Sequence, residues 1–348
     1  MTDAIVINAR FLTQSTTGVQ RFAREITLAL SRLQPAPILL GPREARLPDG
    51  WNAGPWRLDV SACAGGHIWE QLVLPRQRGG AVLVNLANSA PLFCRRQLLV
   101  IHDAGVFATP EAYSWRFRCW YRLLHRVLAR RGVALATVSE FSRREIARHV
   151  RVPQERVAVI GEGAEHILRE PMVPPPLPVG GYVLAVGTPA AHKNLAVLEA
   201  TAAMLHGRGL ELVATGGVAG GVFSAASWPA GIRPLGRVDD AALAGLYRGA
   251  ACLVFPSRYE GFGLPAIEAM ACGCPVVASS IPGLRETCGE AALFADPADP
   301  RAFVAAVARL LDAPAEAARL RAAGLARARA LTWPAAAQRL LGALAGIG

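Results

Sequence analysis

The sequence predicts an α/β protein made of two doubly wound domains. Short apolar runs alternate with amphipathic helical stretches in the first half of the 348 residues, and a second alternating series occupies the second half. Such alternation is typical of mostly parallel sheets with helices on both faces. Between the two series, the segment 171–178 has five prolines in eight residues, which disfavours helix and strand and indicates a stiff linker.

The individual elements follow from the apolar runs and from turn residues. In the first half the predicted strands are Ala4–Ile7, Ile38–Leu40, Ala81–Val84, Leu98–Ile101, Val133–Val138 and Val157–Ile160. In the second half they are Tyr182–Val186, Leu212–Ala214, Arg233–Leu235, Cys252–Phe255 and Pro275–Ala278. Amphipathic helices lie between several of them, for example over 18–33. The alanine-, arginine- and leucine-rich stretch 301–344 predicts further helices, interrupted at Thr332-Trp333-Pro334.

Composition limits the class of protein and its partners. The chain is 52% hydrophobic and 18% charged, which indicates a globular protein with room for two cores. No apolar run reaches the roughly 18 residues of a spanning helix. The start, MTDAIVINARF, lacks the pattern of a signal peptide, so we expect a cytoplasmic location. The net charge of +11 implies anionic partners, and because no nucleic-acid-binding signature is present, nucleic acid is not expected among them.

The seven cysteines predict neither disulfides nor a metal site. Their number is odd, and no signal peptide accompanies them. Cys272 and Cys274 form a close pair, but no second cysteine or histidine pair stands at a metal-ligand spacing. We therefore expect packed thiols and no bound metal.

The segment 252–278 holds the pattern richest in chemistry. A short strand is followed by Glu260, a glycine-rich turn and a helix that carries Glu268, with Pro265 suited to its first turn. Free backbone N–H groups at a helix start can hold an anion, and glycine at 263 lets a ligand approach the main chain. One carboxylate can thus reach a group beyond a phosphate, and the other can reach sugar hydroxyls. A capped surface helix with a solvated Glu268 is the alternative.

The sequence of residues 260–277, EGFGLPAIEAMACGCPVV, resembles the donor-site signature of retaining glycosyltransferases of the GT-B fold, family 4. The resemblance implies two Rossmann-like domains facing across a cleft: an acceptor-side domain over 1–170, a linker over 171–179 and a nucleotide-sugar domain over 180–330. It also implies that a last helix, 333–348, crosses back to the first domain. Glu260 would bind the donor sugar as a catalytic residue. The backbone of Phe262, Gly263 and Leu264 would bind the donor, and Glu268 would hold the ribose.

Two other segments of the second half resemble donor-binding parts of that family. VGTPAAHKNL follows a strand, and the resemblance makes Lys193 the diphosphate ligand, with Gly187 and Thr188 beside the donor. Many relatives carry arginine where Thr188 and His192 stand, which leaves less positive charge here. A solvated lysine is the alternative. The family also places Val238 beside the nucleotide base. Asp239 next to it is predicted to cap a helix, and Thr215-Gly216-Gly217 is either a further contact or a simple turn.

In the first half, two positions are similar to the family's pattern. His102 ends a strand at the carboxyl edge, where ligands of α/β proteins bind, and the resemblance has it face the transferred sugar. A buried structural His102–Asp103 pair is the alternative. Gly18 lies in a glycine turn into the first helix, and the matching loop in the family borders the diphosphate and the acceptor. Ser139 or Ser142 is predicted to cap the helix that follows them.

The segment 115–131 predicts an amphipathic helix with a basic face. Its sequence is WRFRCWYRLLHRVLARR, with Arg118, Arg122, His125, Arg126 and Arg130 on one side. Docking on an anionic bilayer and an ordinary core helix with solvated arginines are both open.

These observations together predict an enzyme that moves a hexose from a nucleotide diphosphate sugar to a glycan or polyprenyl-diphosphate-linked acceptor in surface-polysaccharide assembly. The wording is most similar to mannosyltransferases, so GDP-mannose is the preferred donor and a UDP-hexose the alternative. Retention, metal independence and the absence of a resident cofactor follow from the resemblance. A nucleotide-sugar epimerase, a phosphorylase or a non-catalytic glycan- or nucleic-acid-binding protein are the rivals.

Overall fold

The computed structural model describes residues 4–32, 36–51, 54–63, 65–169, 180–217 and 228–347. The predicted linker at 171–179 lies outside these residues. Contacts divide the chain into two units, the first with Met1–Ala104, Cys119–Glu162 and Trp333–Gly348, the second with Gly105–Arg118 and Gly163–Thr332. This grouping differs from the predicted 1–170 domain, because 105–118 and 163–169 pack with the second unit.

The first unit contains a seven-stranded parallel sheet. Its strands are β1 (Ile5–Asn8), β2 (Ile38–Gly41), β3 (Arg57–Val60), β4 (Val82–Asn85), β5 (Gln97–Val100), β6 (Ala134–Thr137) and β7 (Val157–Val159). They are ordered β3-β2-β1-β4-β5-β6-β7. The helices of this unit are α1 (Gly18–Leu30), α2 (Leu74–Gln77), most of α4 (Trp115–Arg130), α5 (Glu140–Val150) and α12 (Trp333–Leu344). Helix α12 joins this unit at the end of the chain, and its buried Trp333 packs against Phe22 of α1.

The second unit contains a six-stranded parallel sheet. Its strands are β8 (Tyr182–Val186), β9 (Glu211–Thr215), β10 (Ile232–Pro234), β11 (Leu253–Phe255), β12 (Val276–Ser279) and β13 (Ala292–Ala295). They are ordered β10-β9-β8-β11-β12-β13. The helices are α3 (Gly105–Ala108), α6 (Glu199–His206), α7 (Asp240–Gly249), α8 (Leu264–Ala271), α9 (Pro282–Cys288), α10 (Pro300–Asp312) and α11 (Pro314–Ala330).

Every strand predicted from the sequence is present, to within one residue at each end. The central strands are easily recognised because both faces are covered, so their residues form continuous apolar runs. The sequence analysis missed β3 and β13, which are edge strands. Their residues are only partly buried, and β3 alternates Arg57 and Asp59 with apolar neighbours. The charged residues of β3 interrupt its apolar pattern, whereas β13, Ala292–Ala295, is wholly apolar and was not singled out.

Each unit has its own apolar core. In the first, Val6, Leu40, Leu83 and Trp69 pack on one face of the sheet. In the second, residues of β8, β9, β11 and β12 pack against α6 and α10, with Phe303 fully buried. No helix within the described ranges is both long and apolar enough to cross a bilayer.

Candidate active site

The candidate site of the second unit lies where the strand order of its sheet changes direction. Strands β8 and β11 are neighbours, but the chain leaves β8 toward β9 and leaves β11 toward β12, on opposite sides. In open parallel sheets, ligands bind outside the carboxyl ends of the strands at such a point. The loop after β8 carries Lys193 and the loop after β11 carries Glu260, so the topology brings the two predicted residues to one place.

Lys193 and Glu260 form an ion pair. The Lys193 Nζ lies 2.6 Å from a Glu260 carboxylate oxygen, and the two side chains are only 20% and 13% exposed. The ammonium also lies 5.6 Å from the centre of the Phe255 ring. The aliphatic part of Lys193 passes over Gly187, where an added Cβ would lie 3.5 Å from its Cδ. Partial burial strengthens the attraction between the two charges, and the pairing holds the lysine at the strand ends.

The turn Ala191–Lys193 is anchored by the residue that follows it, Asn194, which the sequence analysis did not single out. Asn194 is buried and left-handed, with φ of 56°. Its side-chain amide donates to the carbonyls of Pro256 at 3.0 Å and Pro297 at 2.8 Å. Asparagine tolerates this conformation better than most residues. An asparagine after a predicted strand–turn was the available signal, but its partners are distant in sequence.

Two glycines let the neighbouring strand ends come together. Gly187 follows β8 and Gly216 follows β9, and a Cβ on Gly216 would lie 2.2 Å from the carbonyl oxygen of Gly187. Gly216 N–H and the Thr215 hydroxyl both donate to the Gly236 carbonyl, at 2.9 and 2.8 Å. These bonds fix the loop that leads to the half-buried Val238. Gly216 therefore has a packing role here.

The start of α8 offers main-chain groups. Gly263 is the N-cap, with φ of 90°, and Pro265 lies in the first turn as predicted. The side chains of Phe262 and Leu264 are buried, so a ligand at this end would meet the backbone. At the start of α7, Asp239 caps the helix by accepting from Ala242 N–H at 2.8 Å, also as predicted.

Glu268 lies in α8 inside a buried hydrogen-bond network. The Tyr247 hydroxyl donates to one carboxylate oxygen at 2.9 Å, and His166 Nε2 lies 2.8 Å from the other. Burial, together with the Glu268 charge, raises the pKa of Tyr247 well above its ordinary value, so the hydroxyl stays a donor. Each carboxylate oxygen has a second lone pair, so the network is compatible with a ribose hydroxyl. The solvated-helix alternative for Glu268 is wrong. Sequence analysis missed Tyr247 and His166.

His102, at the end of β5, is buried and held on several sides. Its Nε2 lies 2.9 Å from the Leu86 carbonyl, and its Nδ1 lies 3.6 Å from Glu162. Its main-chain N–H donates to Asn88 Oδ1, and its carbonyl accepts from the Ser142 hydroxyl. The predicted contact of His102 with a sugar stays a prediction. The nearby capping prediction is confirmed, because Ser139 accepts from Ser142 N–H.

Gly18 begins α1 next to its N-cap, Thr17, and a Cβ built there meets no atom within 4 Å. Gly18→Ala is therefore expected to leave the unfolding temperature unchanged, while a ligand that needs close approach to this backbone is excluded. The expected result is a rise of the donor or acceptor KM by about tenfold, from a loss of about 1.4 kcal/mol. Steady-state kinetics and thermal unfolding of the same sample check this, and an unchanged KM contradicts the assignment of Gly18.

A buried polar cluster that the sequence analysis missed lies at the corresponding point of the first sheet, between β1 and β4. Glu70 is fully buried and bonds Asn8, Ser89 and Arg10. Burial opposes its ionisation, but the bond with His67, the Arg10 charge and the bonds with Ser89 and Asn8 outweigh burial, so the pKa of Glu70 lies below its ordinary value. Glu70 lies in the helical turn Trp69–Val73, and nothing in the local sequence marks it as buried.

His125 corrects the predicted basic face of 115–131. It is buried, and its Nε2 donates to the Asn88 carbonyl at 2.8 Å. Burial lowers its pKa to about 4, against the raising effect of that hydrogen bond. At neutral pH His125 is thus an uncharged core residue. Arg126 and Arg130 remain exposed on the helix, and Leu123 beside them is 57% exposed.

Acid is expected to destabilise both units, through the buried His125 in the first and the half-buried His192 in the second. Burial, aided by the Lys193 charge, lowers the pKa of His192 to about 4 as well. In the unfolded chain these groups take up protons near pH 6.5, so between about pH 6.5 and 4 the unfolded state binds more protons. The contribution of each histidine to the free energy of unfolding is therefore fully present above about pH 6.5. It falls as the pH is lowered toward 4, by about 3 kcal/mol for each histidine.

Chemical denaturation at several pH values measures this, and His125→Gln, which keeps a donor for Asn88, is expected to flatten part of the decline. A His125→Gln protein with the same pH dependence as wild type contradicts the prediction.

The cysteine pair is packed. Cys272 and Cys274 are buried, and burial raises the pKa of the Cys272 thiol to about 12. Within the described part of the chain, no group of three or more histidine, cysteine or acidic side chains is arranged to hold a metal ion.

The fold is that of the GT-B glycosyltransferases. Solved structures with the same fold include sucrose-phosphate synthase from Thermosynechococcus elongatus, with a TM-score of 0.69, 22% identity and 97% of each chain covered. Anabaena HepE in complex with UDP-glucose gives a TM-score of 0.73 at 13% identity, over 99% of each chain. At these identities the likeness shows the fold alone.

Sequence comparison identifies the family. The model named "Glycosyl transferases group 1" matches residues 180–313. The O-antigen chain mannosyltransferase B of Escherichia coli is 35% identical over 266 residues, which cover 68% of this chain and 67% of that protein. The O-antigen chain mannosyltransferase RfbU of Salmonella typhimurium is 26% identical, over 71% of this chain and 69% of that protein. The chain belongs to the group 1 glycosyltransferases.

Proposed function

We propose that this glycosyltransferase moves mannose from GDP-mannose to a glycan or lipid-linked oligosaccharide acceptor in the assembly of a surface polysaccharide such as O-antigen. The observation that carries the proposal is the Lys193–Glu260 pair at the change of strand direction, beside the start of α8. The likeness to proteins named O-antigen chain mannosyltransferases supports the choice of sugar and acceptor. A UDP-hexose is the second candidate, since HepE was solved with UDP-glucose.

In the proposed reaction the bond between the anomeric carbon and the diphosphate oxygen breaks, and an acceptor hydroxyl forms the new bond on the same face of the sugar. The acceptor proton passes to the departing phosphate oxygen. Lys193 and the N–H groups at the start of α8 stabilise the negative charge that grows on the diphosphate. Glu260 binds sugar hydroxyls and favours positive charge at the ring, and Glu268 holds the ribose. Because Lys193 and these amides supply the charge, the reaction needs neither a metal nor a resident cofactor.

Donor choice is tested by thermal unfolding with GDP-mannose, UDP-glucose and ADP-glucose. A ligand at one hundred times its Kd adds about 2.7 kcal/mol, so GDP-mannose is expected to raise the unfolding temperature by about 5–10 °C and the others by less. A larger shift with UDP-glucose would mean that UDP-glucose, rather than GDP-mannose, is the donor. Equal shifts with all three nucleotide sugars contradict a pocket that selects the base. NMR of the product then tests retention: an inverted anomeric configuration contradicts the proposed mechanism, and hydrolysis of donor without acceptor distinguishes an enzyme from a binding protein.

We also propose that the first unit docks on an anionic membrane, where a lipid-linked acceptor is found. Residues 119–139 of this unit contain four arginines and no aspartate or glutamate. Large apolar side chains are exposed in the same unit at Ile68, Leu72, Phe93 and Leu123, and Arg131 lies over the Phe93 ring. Basic groups beside exposed apolar side chains suit such a surface. The protein is expected to sediment with phosphatidylglycerol vesicles. The Leu123→Glu variant is expected to lose this binding. Equal binding to phosphatidylcholine vesicles would contradict the charge argument.

A further inference from the structure

Three aromatic rings of the second unit stand in a parallel row. The Tyr113 ring is 5.6 Å from Phe117, with an angle of 5° between the ring planes. On its other side it is 6.3 Å from His192, at 7°. These separations are those of offset-stacked rings. The turn Pro110–Ala112 also packs against the turn Ala191–Lys193. A segment from the first half of the sequence therefore lies against the loop that carries Lys193.

His192 is held on more than one side. Its carbonyl accepts from Arg258 N–H at 2.8 Å, and the side chain of Asn194, two residues later, is bonded to Pro256 and Pro297. Since the His192 ring is uncharged at neutral pH, Tyr113 meets a neutral aromatic face. Lys193 is the next residue, and its Nζ reaches Glu260. The main chain at 191–194 is fixed by hydrogen bonds, while the aromatic stack restrains the side-chain face of the same turn.

We propose that Tyr113 is a positioning residue for Lys193, acting through the His192 ring, and that it thereby sets the affinity for the donor diphosphate. This inference rests on the proposed function, in which Lys193 binds that diphosphate. Tyr113 does not itself touch the donor in this proposal. Its ring removes conformations of the turn in which the ammonium points away from the phosphates, so less ordering is needed when the donor binds.

The test compares a nucleoside diphosphate with its monophosphate. Calorimetry with GDP and GMP, or with UDP and UMP if the wild-type protein selects uridine, is done on wild type, Tyr113→Ala and Tyr113→Phe. Tyr113→Ala is expected to lower the affinity for the diphosphate by about three- to tenfold and to leave the affinity for the monophosphate unchanged. Tyr113→Phe keeps the ring and is expected to bind both as wild type does. If Tyr113→Ala does not fold, Tyr113→Leu fills the space without a ring and is expected to show the same selective loss.

Three outcomes overturn the inference. An unchanged diphosphate affinity in Tyr113→Ala means that the stack does not restrain Lys193. An equal loss for both nucleotides means that Tyr113 only supports the fold. A loss in Tyr113→Phe means that the hydroxyl, rather than the ring, is used. Failure of the proposed function is distinguishable, because the wild-type protein would then bind neither diphosphate.

Discussion

Replacement of Glu260 by glutamine is expected to reduce transfer by about 10²- to 10³-fold without weakening the binding of the nucleotide diphosphate. Glutamine keeps the shape of the side chain and can hydrogen-bond a sugar, but it cannot favour the positive charge that develops at the sugar ring. Glu260 also pairs with Lys193. In the wild-type protein the Glu260 carboxylate competes with the diphosphate for the Lys193 ammonium. Removing that charge should therefore leave the affinity for GDP equal or raise it.

Lys193→Ala is the reciprocal variant and should show the opposite behaviour. Charge-assisted hydrogen bonds contribute about 1.5–3 kcal/mol, so its affinity for GDP is expected to fall by roughly 10- to 100-fold. Calorimetry and single-turnover rates on both variants measure the two effects separately. Glu290→Gln is a matched control, because Glu290 is an exposed glutamate of the same unit. Full kcat in Glu260→Gln would show that this carboxylate is not catalytic.

Gly216→Ala is expected to destabilise the second unit by at least about 4 kcal/mol. The new Cβ would lie 2.2 Å from the carbonyl oxygen of Gly187 and 2.6 Å from its carbon, both backbone atoms, and φ of 156° is strained for alanine. Relief requires separating β8 from β9, and β8 borders the candidate site. The unfolding temperature should fall by about 10 °C or more.

The adjacent Gly217 supplies a matched control. A Cβ built at Gly217 meets no atom within 4 Å, so Gly217→Ala is expected to change the unfolding temperature little. The two variants make the same chemical change one residue apart, and circular dichroism on heating compares them directly. Similar melting of both would mean that the close approach of Gly187 and Gly216 is unimportant for stability.

Much of the fold follows from local pattern. The central strands are covered on both faces and form apolar runs, so the sequence locates them within a residue of their observed ends. Strand β3 escaped prediction because charged residues alternate with its apolar ones, and β13 was missed although it is wholly apolar. Helix ends were also legible from sequence, since Ser139 and Asp239 cap their helices through bonds that span three residues.

The donor-side site was only partly legible. Each of Glu260, Glu268 and Lys193 belongs to a short sequence motif, and the sequence located each on its loop or helix. Their partners lie far away in the chain: Tyr247 is 21 residues and His166 is 102 residues from Glu268. No local pattern marks such a partner, because either residue would look the same in an ordinary core. The burial of His125, placed on a basic face by helical spacing, likewise depends on the distant Asn88 carbonyl.

By itself the sequence determined the alternation that makes two parallel sheets and the order of loops and helices, and it named the candidate residues for binding a nucleotide sugar. Period and turn chemistry act over a few residues, so they can be read directly. Only the tertiary structure decided that Lys193 meets Glu260, that Gly216 must lack a side chain, and that Tyr113 stacks on the loop of the second unit. Those outcomes depend on which strands become neighbours and on which residues lose contact with water, and both are decided by packing across long sequence separations.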